Sequence, residues 1–218
     1  MKILITSGGT DVPIDDVRKI SNMSSGKYGA QIATILHDNY FDEHDIWYLG
    51  KKGGVSPSPE IDLHYQGKKY ICNLQFSNYE EYKDGSIYAA SRILPDIIIS
   101  AAAVSDYILD KTEGKISSDN DELVIRLKKA PKVLPLLREA APNALLVGFK
   151  LLVSPSLDEA LNAIEKVFKN GADLVVYNDL TEIRKGNSQR LVFTPDMKFQ
   201  PAKDAKELVE IILKHKQQ

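Results

Sequence analysis

The chain has 218 residues, 43% of them hydrophobic, with 28 Lys plus Arg against 30 Asp plus Glu and a formal net charge of -2. That length can bury one substantial core, and the charge balance is that of an ordinary soluble globular protein and gives no reason to expect nucleic acid as a partner. Cys72 is the only cysteine, so no intramolecular disulfide forms and a cytoplasmic setting is expected. The apolar run "IIISAAAV" is too short to cross a bilayer, and "MKILITSGG" too short for a signal peptide, so no membrane partner is expected.

In chain order, "KILIT" reads as a buried strand, Gly26 to His37 as a helix and "HDIWYLG" as a second strand. "GGVSPSPEIDLHYQG" is turn-rich, and "KKYICNLQF" reads as a strand that buries Cys72. A weaker helical pattern covers Tyr79 to Leu94. The nearly all-apolar "PDIIISAAAV" is of the kind buried on both faces of a parallel sheet.

The alternation then breaks. "SDYILDKTEGKISSDNDELVIRLKKAPKVL" is polar, holds a Gly-Lys turn and the extended run "ELVIRL", and reads as a flap at about 108–127. Strand "NALLVGFKLL", helix "SLDEALNAIEKVFKNG" and strand "ADLVVYND" resume it. In that helix Ser156 and Glu159 predict a capping box, and Gly171 the stop. A hairpin around "LVFTPDMKFQP" and a helix from Ala202 end the chain. Strand, crossover and strand predict an α/β fold: a Rossmann-like, doubly wound three-layer sandwich with a mainly parallel sheet, residues 1–218 forming one domain.

Where the first strand meets the first helix, "ITSGGTDVPIDDVRKISNMSSGKYG" places Gly8, Gly9, Gly26 and Gly29 among small hydroxyl residues. Backbone N–H groups at a helix N-terminus could face an anion there, or the glycines could simply make tight turns. Three templates fail. Ser21 stands where a P-loop needs glycine, the G-x-G-x-x-G fingerprint is absent, and Tyr-x-x-x-Lys pairs at Tyr65/Lys69, Tyr79/Lys83 and Tyr107/Lys111 are too many to mean anything. His37, His44, His64 and His215 have no zinc spacing, so no protein-held metal site is expected.

"ILITSGGTDVPIDDVRKISNMSSGKYG", "SAAAVSDY", "EGKI", "VGF" and "ADLVVYND" together resemble the phosphopantothenate–cysteine ligase family, in its stand-alone form without a flavin-dependent decarboxylase. The resemblance implies joining of 4'-phosphopantothenate to L-cysteine through an acyl-nucleotidylate, with CTP and Mg2+ and no flavin, in a homodimer formed through the flap. It implies catalytic roles for Lys115, on departing pyrophosphate, and Asn22, on the acyl intermediate. Helix capping is the alternative for Asn22. Ser7, Gly8, Gly9, Ala103, Asp106, Phe149 and Lys166 would bind nucleotide, and Arg18, Ser24, Ser25 and Gly26 the substrate. Ser117 and Ser118 replace the usual further flap lysines, and Asn170 a usual lysine four residues after Lys166. The rival readings are an NAD(P)-dependent Rossmann-fold oxidoreductase, testable by hydride transfer, and a non-catalytic nucleotide-binding module, which would bind without turnover.

Overall fold

The structure is a computed structural model that describes residues 1–40, 43–57 and 72–217. The first half runs β1 (Lys2–Ser7), β2 (Asp11–Pro13), β3 (Lys19–Ser21), α1 (Lys27–Tyr40), β4 (Asp45–Lys51), β5 (Cys72–Phe76), α2 (Tyr79–Ile93) and β6 (Ile97–Ser100). Then come β7 (Tyr107–Ile108), β8 (Lys128–Lys129), α3 (Val133–Ala140), β9 (Leu145–Leu152), α4 (Leu157–Lys169) and β10 (Leu174–Asp179). The chain closes with α5 (Leu180–Arg184), β11 (Arg190–Phe193), β12 (Phe199–Ala202) and α6 (Ala205–Lys216).

Eight strands form one sheet in the order β12-β11-β10-β9-β6-β1-β4-β5. β10 through β5 are mutually parallel, while β11 and β12 add an antiparallel edge. The expected mainly parallel sandwich is therefore present. Both faces are covered, which is why the central strands are apolar without alternation. Ile3 and Ile5 of β1 pack towards α1 and α6, and Leu4 between them packs towards α2 and α3. The chain leaves β1 towards β4 on one side and returns through β6 on the other, so the connections diverge between β1 and β6. In such sheets ligands bind outside the carboxyl ends of the strands at this point.

Local signals place the helices. Ser156 and Glu159 form the capping box of α4 and Gly171 follows its end at φ +99°. Asn78 caps α2 by accepting from the Glu81 N–H at 2.9 Å. The last helix begins at Ala205, not Ala202: Ala202 completes β12, and Asp204 is the N-cap, accepting from the Glu207 N–H. The first helix begins at Lys27, since Gly26 has φ +81° and cannot join it, and it runs on to Tyr40.

The flap region differs from expectation in two ways. Residues 122–127 form no strand or helix, and the flap is closed at its base by the two-residue ladder β7–β8. Leu123, Val124 and Leu127 are exposed along it. After it stands α3, which sequence reading missed because Pro135 looks like a breaker. It is the third helical residue, and proline is tolerated in a first turn because its missing N–H has no intrahelical partner there. The side chain of Cys72, residues 58–71, and with them most of the turn-rich segment and His64, lie outside the described residues.

Candidate active site

Two loops meet at the divergence point. After β1 the backbone turns at Gly8, φ +93°, where a Cβ would stand 2.5 Å from Lys51 Cβ. At Gly9 a Cβ would stand 2.7 Å from the Asn22 carbonyl oxygen. These glycines thus let two backbone segments close on the loop. The loop after β6 is laced to it: the Ala103 N–H donates to Gly8 O at 2.8 Å and the Thr10 N–H to Ala103 O at 3.1 Å. The Ser105 N–H donates to Thr10 Oγ1 at 2.9 Å. Asn22 completes the junction, its Nδ2 donating to Ala103 O at 2.6 Å. It caps no helix, since four residues separate it from Lys27.

A cavity of about 460 Å³ opens beside this junction over the carboxyl ends of β6, β9 and β10. Ser24, Ala103, Asp106 and Phe149 line it, as does the first turn of α3 through Lys132 to Leu134. Lys132 stands at the N-cap of α3 with no side chain capping that end. Its ammonium instead pairs with Asp106 at the mouth, so Asp106 is no helix cap either. Phe149 meets the Tyr28 ring edge-on at 6.4 Å.

Other expected site residues are placed away from this space. Ser7 is buried, its hydroxyl donating to Gly26 O at 2.9 Å, and Gly8, Gly9, Ser25 and Gly26 do not line the cavity. Lys166 is exposed on α4, whose lining residues are Val167 and Asn170.

The short hairpin β2–β3 holds the flap. The Asp15 carboxylate accepts from the Val17 and Arg18 N–H groups at 2.8 and 2.7 Å, from the Arg18 guanidinium at 2.9 and 2.6 Å, and from the Ile116 N–H at 3.1 Å. The Arg18 guanidinium beside it holds that carboxyl far below its usual range. Arg18 also donates to Ile116 O at 2.7 Å, so in this state its guanidinium serves the flap. Asp16 accepts from the Gly114 N–H at 2.8 Å and pairs with Lys111 at 2.5 Å. Lys115 is therefore carried, exposed, on a turn tied to the loop that bears Asn22. Within the hairpin itself, burial pushes the Asp11 carboxyl up, but Lys19 and Lys51 at 2.5 and 2.6 Å outweigh it and bring it down to about 2.

The family model for the DNA/pantothenate metabolism flavoprotein C-terminal domain matches residues 1–39 and 87–215. The chain belongs to this family. Among its members, the coenzyme A biosynthesis bifunctional protein CoaBC of Methanocaldococcus jannaschii is 35% identical over 182 residues, which make up 83% of this chain and 41% of that protein. The chain thus spans about two-fifths of the length of such relatives. The mouse phosphopantothenate–cysteine ligase is 27% identical over 230 residues, covering 84% of this chain and 73% of that one. The crystal structure of the DNA/pantothenate metabolism flavoprotein from Streptococcus pneumoniae superposes with a TM-score of 0.83 at 28% identity, covering 100% of this chain and 98% of that one.

Four residues that line the cavity were not singled out in the sequence. Lys132 hid at the N-cap of the unrecognised helix, and Asn178 lay inside the quoted motif "ADLVVYND" without being singled out. Tyr28 and Arg190 come from opposite ends of the chain and meet only through the fold, the Arg190 guanidinium lying 4.7 Å from the Tyr28 ring centroid. No local pattern could have signalled them.

Proposed function

We propose that this chain carries phosphopantothenate–cysteine ligase activity, joining 4'-phosphopantothenate to L-cysteine at the expense of CTP. The observation that carries this reading is the junction of Asn22 with the loop of Ala103 to Asp106 at the mouth of a cavity large enough for a nucleotide. Relatives bearing the ligase name share this domain.

In the first step a substrate carboxylate oxygen attacks the α-phosphorus of the nucleotide, and the bond to pyrophosphate breaks. In the second the cysteine nitrogen attacks the acyl carbon, CMP leaves, and the amine gives up a proton. Because one anion attacks another, cations and aligned donors must offset the repulsion. Lys132 and the uncapped first turn of α3 supply such a field at the cavity, and Lys115 supplies a mobile charge from the flap. Among the described residues no three His, Cys, Asp or Glu converge to hold a metal. Mg2+ would arrive on the nucleotide's phosphates, with Asp106 the acidic side chain lining that space. Purified protein is expected to release pyrophosphate only when phosphopantothenate and Mg-CTP are both present. No release with either CTP or ATP would overturn the reading.

We also propose a homodimer. The exposed apolar side chains Leu123, Val124 and Leu127 of the flap, with Val17, Ile20 and Met23 beside the hairpin, suit pairing with a second copy. The expected mass in solution is twice 24.3 kDa. A fully active monomer would sink this part.

A further inference from the structure

One wall of the cavity carries three buried polar atoms that have no hydrogen-bond partner among the described residues: Arg190 Nε, Asn178 Oδ1 and Tyr28 Oη. Leaving such groups unpaired is costly, so each calls for a partner such as a water, an ion or a ligand. Arg190 is the sharpest case. It is only 8% exposed, and its Nη1 is spent on the backbone carbonyls of Ser188 and Gln189. Burial pushes its pKa down, and no carboxylate pairs with it among the described residues. Burial likewise pushes the Tyr28 phenol up to about 12, so it stays a neutral O–H.

The three side chains share one face because of strand register. β10 and β11 pair antiparallel with Tyr177 opposite Leu191, so the next step sets Asn178 opposite Arg190. Tyr28 lies against the Arg190 guanidinium from α1, with Phe149 edge-on to its ring. The wall thus offers aromatic surface together with a guanidinium edge that donates and an amide oxygen that accepts.

We propose that Arg190 and Asn178 read the base of the nucleotide co-substrate and select cytosine. This rests on the ligase reading above and names a determinant within it. The argument is one of edge complementarity. Arg190 can present adjacent N–H groups, and Asn178 an oxygen, which is a donor-donor-acceptor order. Cytosine's free edge carries O2 and N3 as acceptors and an exocyclic amine as donor. Adenine has one acceptor beside its amine and a C–H next to that, so it leaves the second arginine N–H without an acceptor. Uracil has an N–H where cytosine has N3, and a carbonyl that would meet the Asn178 oxygen. Bidentate arginine pairing of this kind is a recurrent means of base discrimination. Tyr28 and Phe149 supply the apolar surface against which a base packs.

The test is binding by calorimetric titration, which needs no turnover. Wild-type protein is titrated with Mg-CTP, Mg-UTP and Mg-ATP, and then the variants Arg190→Met and Asn178→Ser, each first shown to melt as the wild type does. CTP is expected to bind roughly 10- to 100-fold more tightly than the other two, and Arg190→Met to remove most of that margin while leaving ATP affinity within about threefold. Asn178→Ser should weaken CTP more than the triphosphate of zebularine, the cytidine analogue lacking the exocyclic amine. Equal binding of all three nucleotides by the wild type overturns the base-reading role and leaves the ligase reading standing. So does a uniform loss in Arg190→Met. No binding of any nucleotide brings down both. The wild-type ranking decides even if neither variant folds.

Discussion

Replacing Asn22 with aspartate is expected to stop the ligase after its first step, whereas Lys115→Gln is expected to stop it before. Asn22 donates to Ala103 O at 2.6 Å, a contact that an ionised carboxylate turns into repulsion. On the proposed mechanism, an added negative charge there would also oppose the anionic acyl-phosphate intermediate. Lys115 is exposed on the flap turn, and on the proposed mechanism its loss removes charge that would follow the departing pyrophosphate. Each variant should lose about two to three powers of ten in product formation. The stages separate when enzyme, labelled phosphopantothenate and CTP are mixed without cysteine and bound acyl-cytidylate is measured by mass. Asn22→Asp should accumulate it and Lys115→Gln should not. Equal amounts in both would refute the division of labour.

The second large effect falls on stability. Gly29 lies in α1 where it crosses β1, and a Cβ there would stand 2.3 Å from Ser7 Oγ and 2.5 Å from Ser7 Cβ. A rotamer change can move the hydroxyl but not the Ser7 Cβ, so α1 must lift from the sheet. Overpacking of this kind costs about 1–3 kcal/mol, and at this chain length each kcal/mol lowers Tm by about 2–4 °C. Gly29→Ala should therefore melt several degrees lower, and Ser7→Gly in the same chain should restore part of the loss. An unchanged melting temperature in Gly29→Ala would show that the helix accommodates the methyl group.

The parts of the molecule that could be read in the sequence are those set by local rules. β1, β6 and β9 are apolar because both faces of a parallel sheet are covered, and α4 announces itself through Ser156, Glu159 and Gly171. α3 was hidden by Pro135, whose position in the first turn cannot be known before the helix start is known. The hairpin β2–β3 was hidden for a related reason: its register depends on Asp15, which looks like an ordinary turn residue but gathers groups from the flap. The site divides the same way. Asn22, Ser24, Ala103, Asp106 and Phe149 belong to contiguous motifs and meet at the junction or in the cavity. Arg190 directly precedes the expected hairpin "LVFTPDMKFQP", and only the approach of Tyr28 from α1 turns it into a buried cation with no carboxylate partner among the described residues. Ser7, Gly8 and Gly9 carried an anion-site signature, yet tight packing against Lys51, Asn22 and Gly26 accounts for their small size.

The clamp between Asp15 and the flap turn has a consequence for the order in which the chain assembles. Ile116 and Asp15 are 101 positions apart, and nearly everything that brings them together is the sheet from β1 to β6 and the helices covering it. The clamp gathers polar bonds around the buried Asp15 carboxylate and adds little apolar burial, so it is a poor nucleus. Closing so long a segment is favourable only once the buried strands have already fixed its ends. The core therefore forms first and the hairpin docks onto the flap afterwards. By the same energetics that contact belongs to the first cooperative unit to open. A chain built in this way can release the flap contact from a scaffold that does not need to unfold with it.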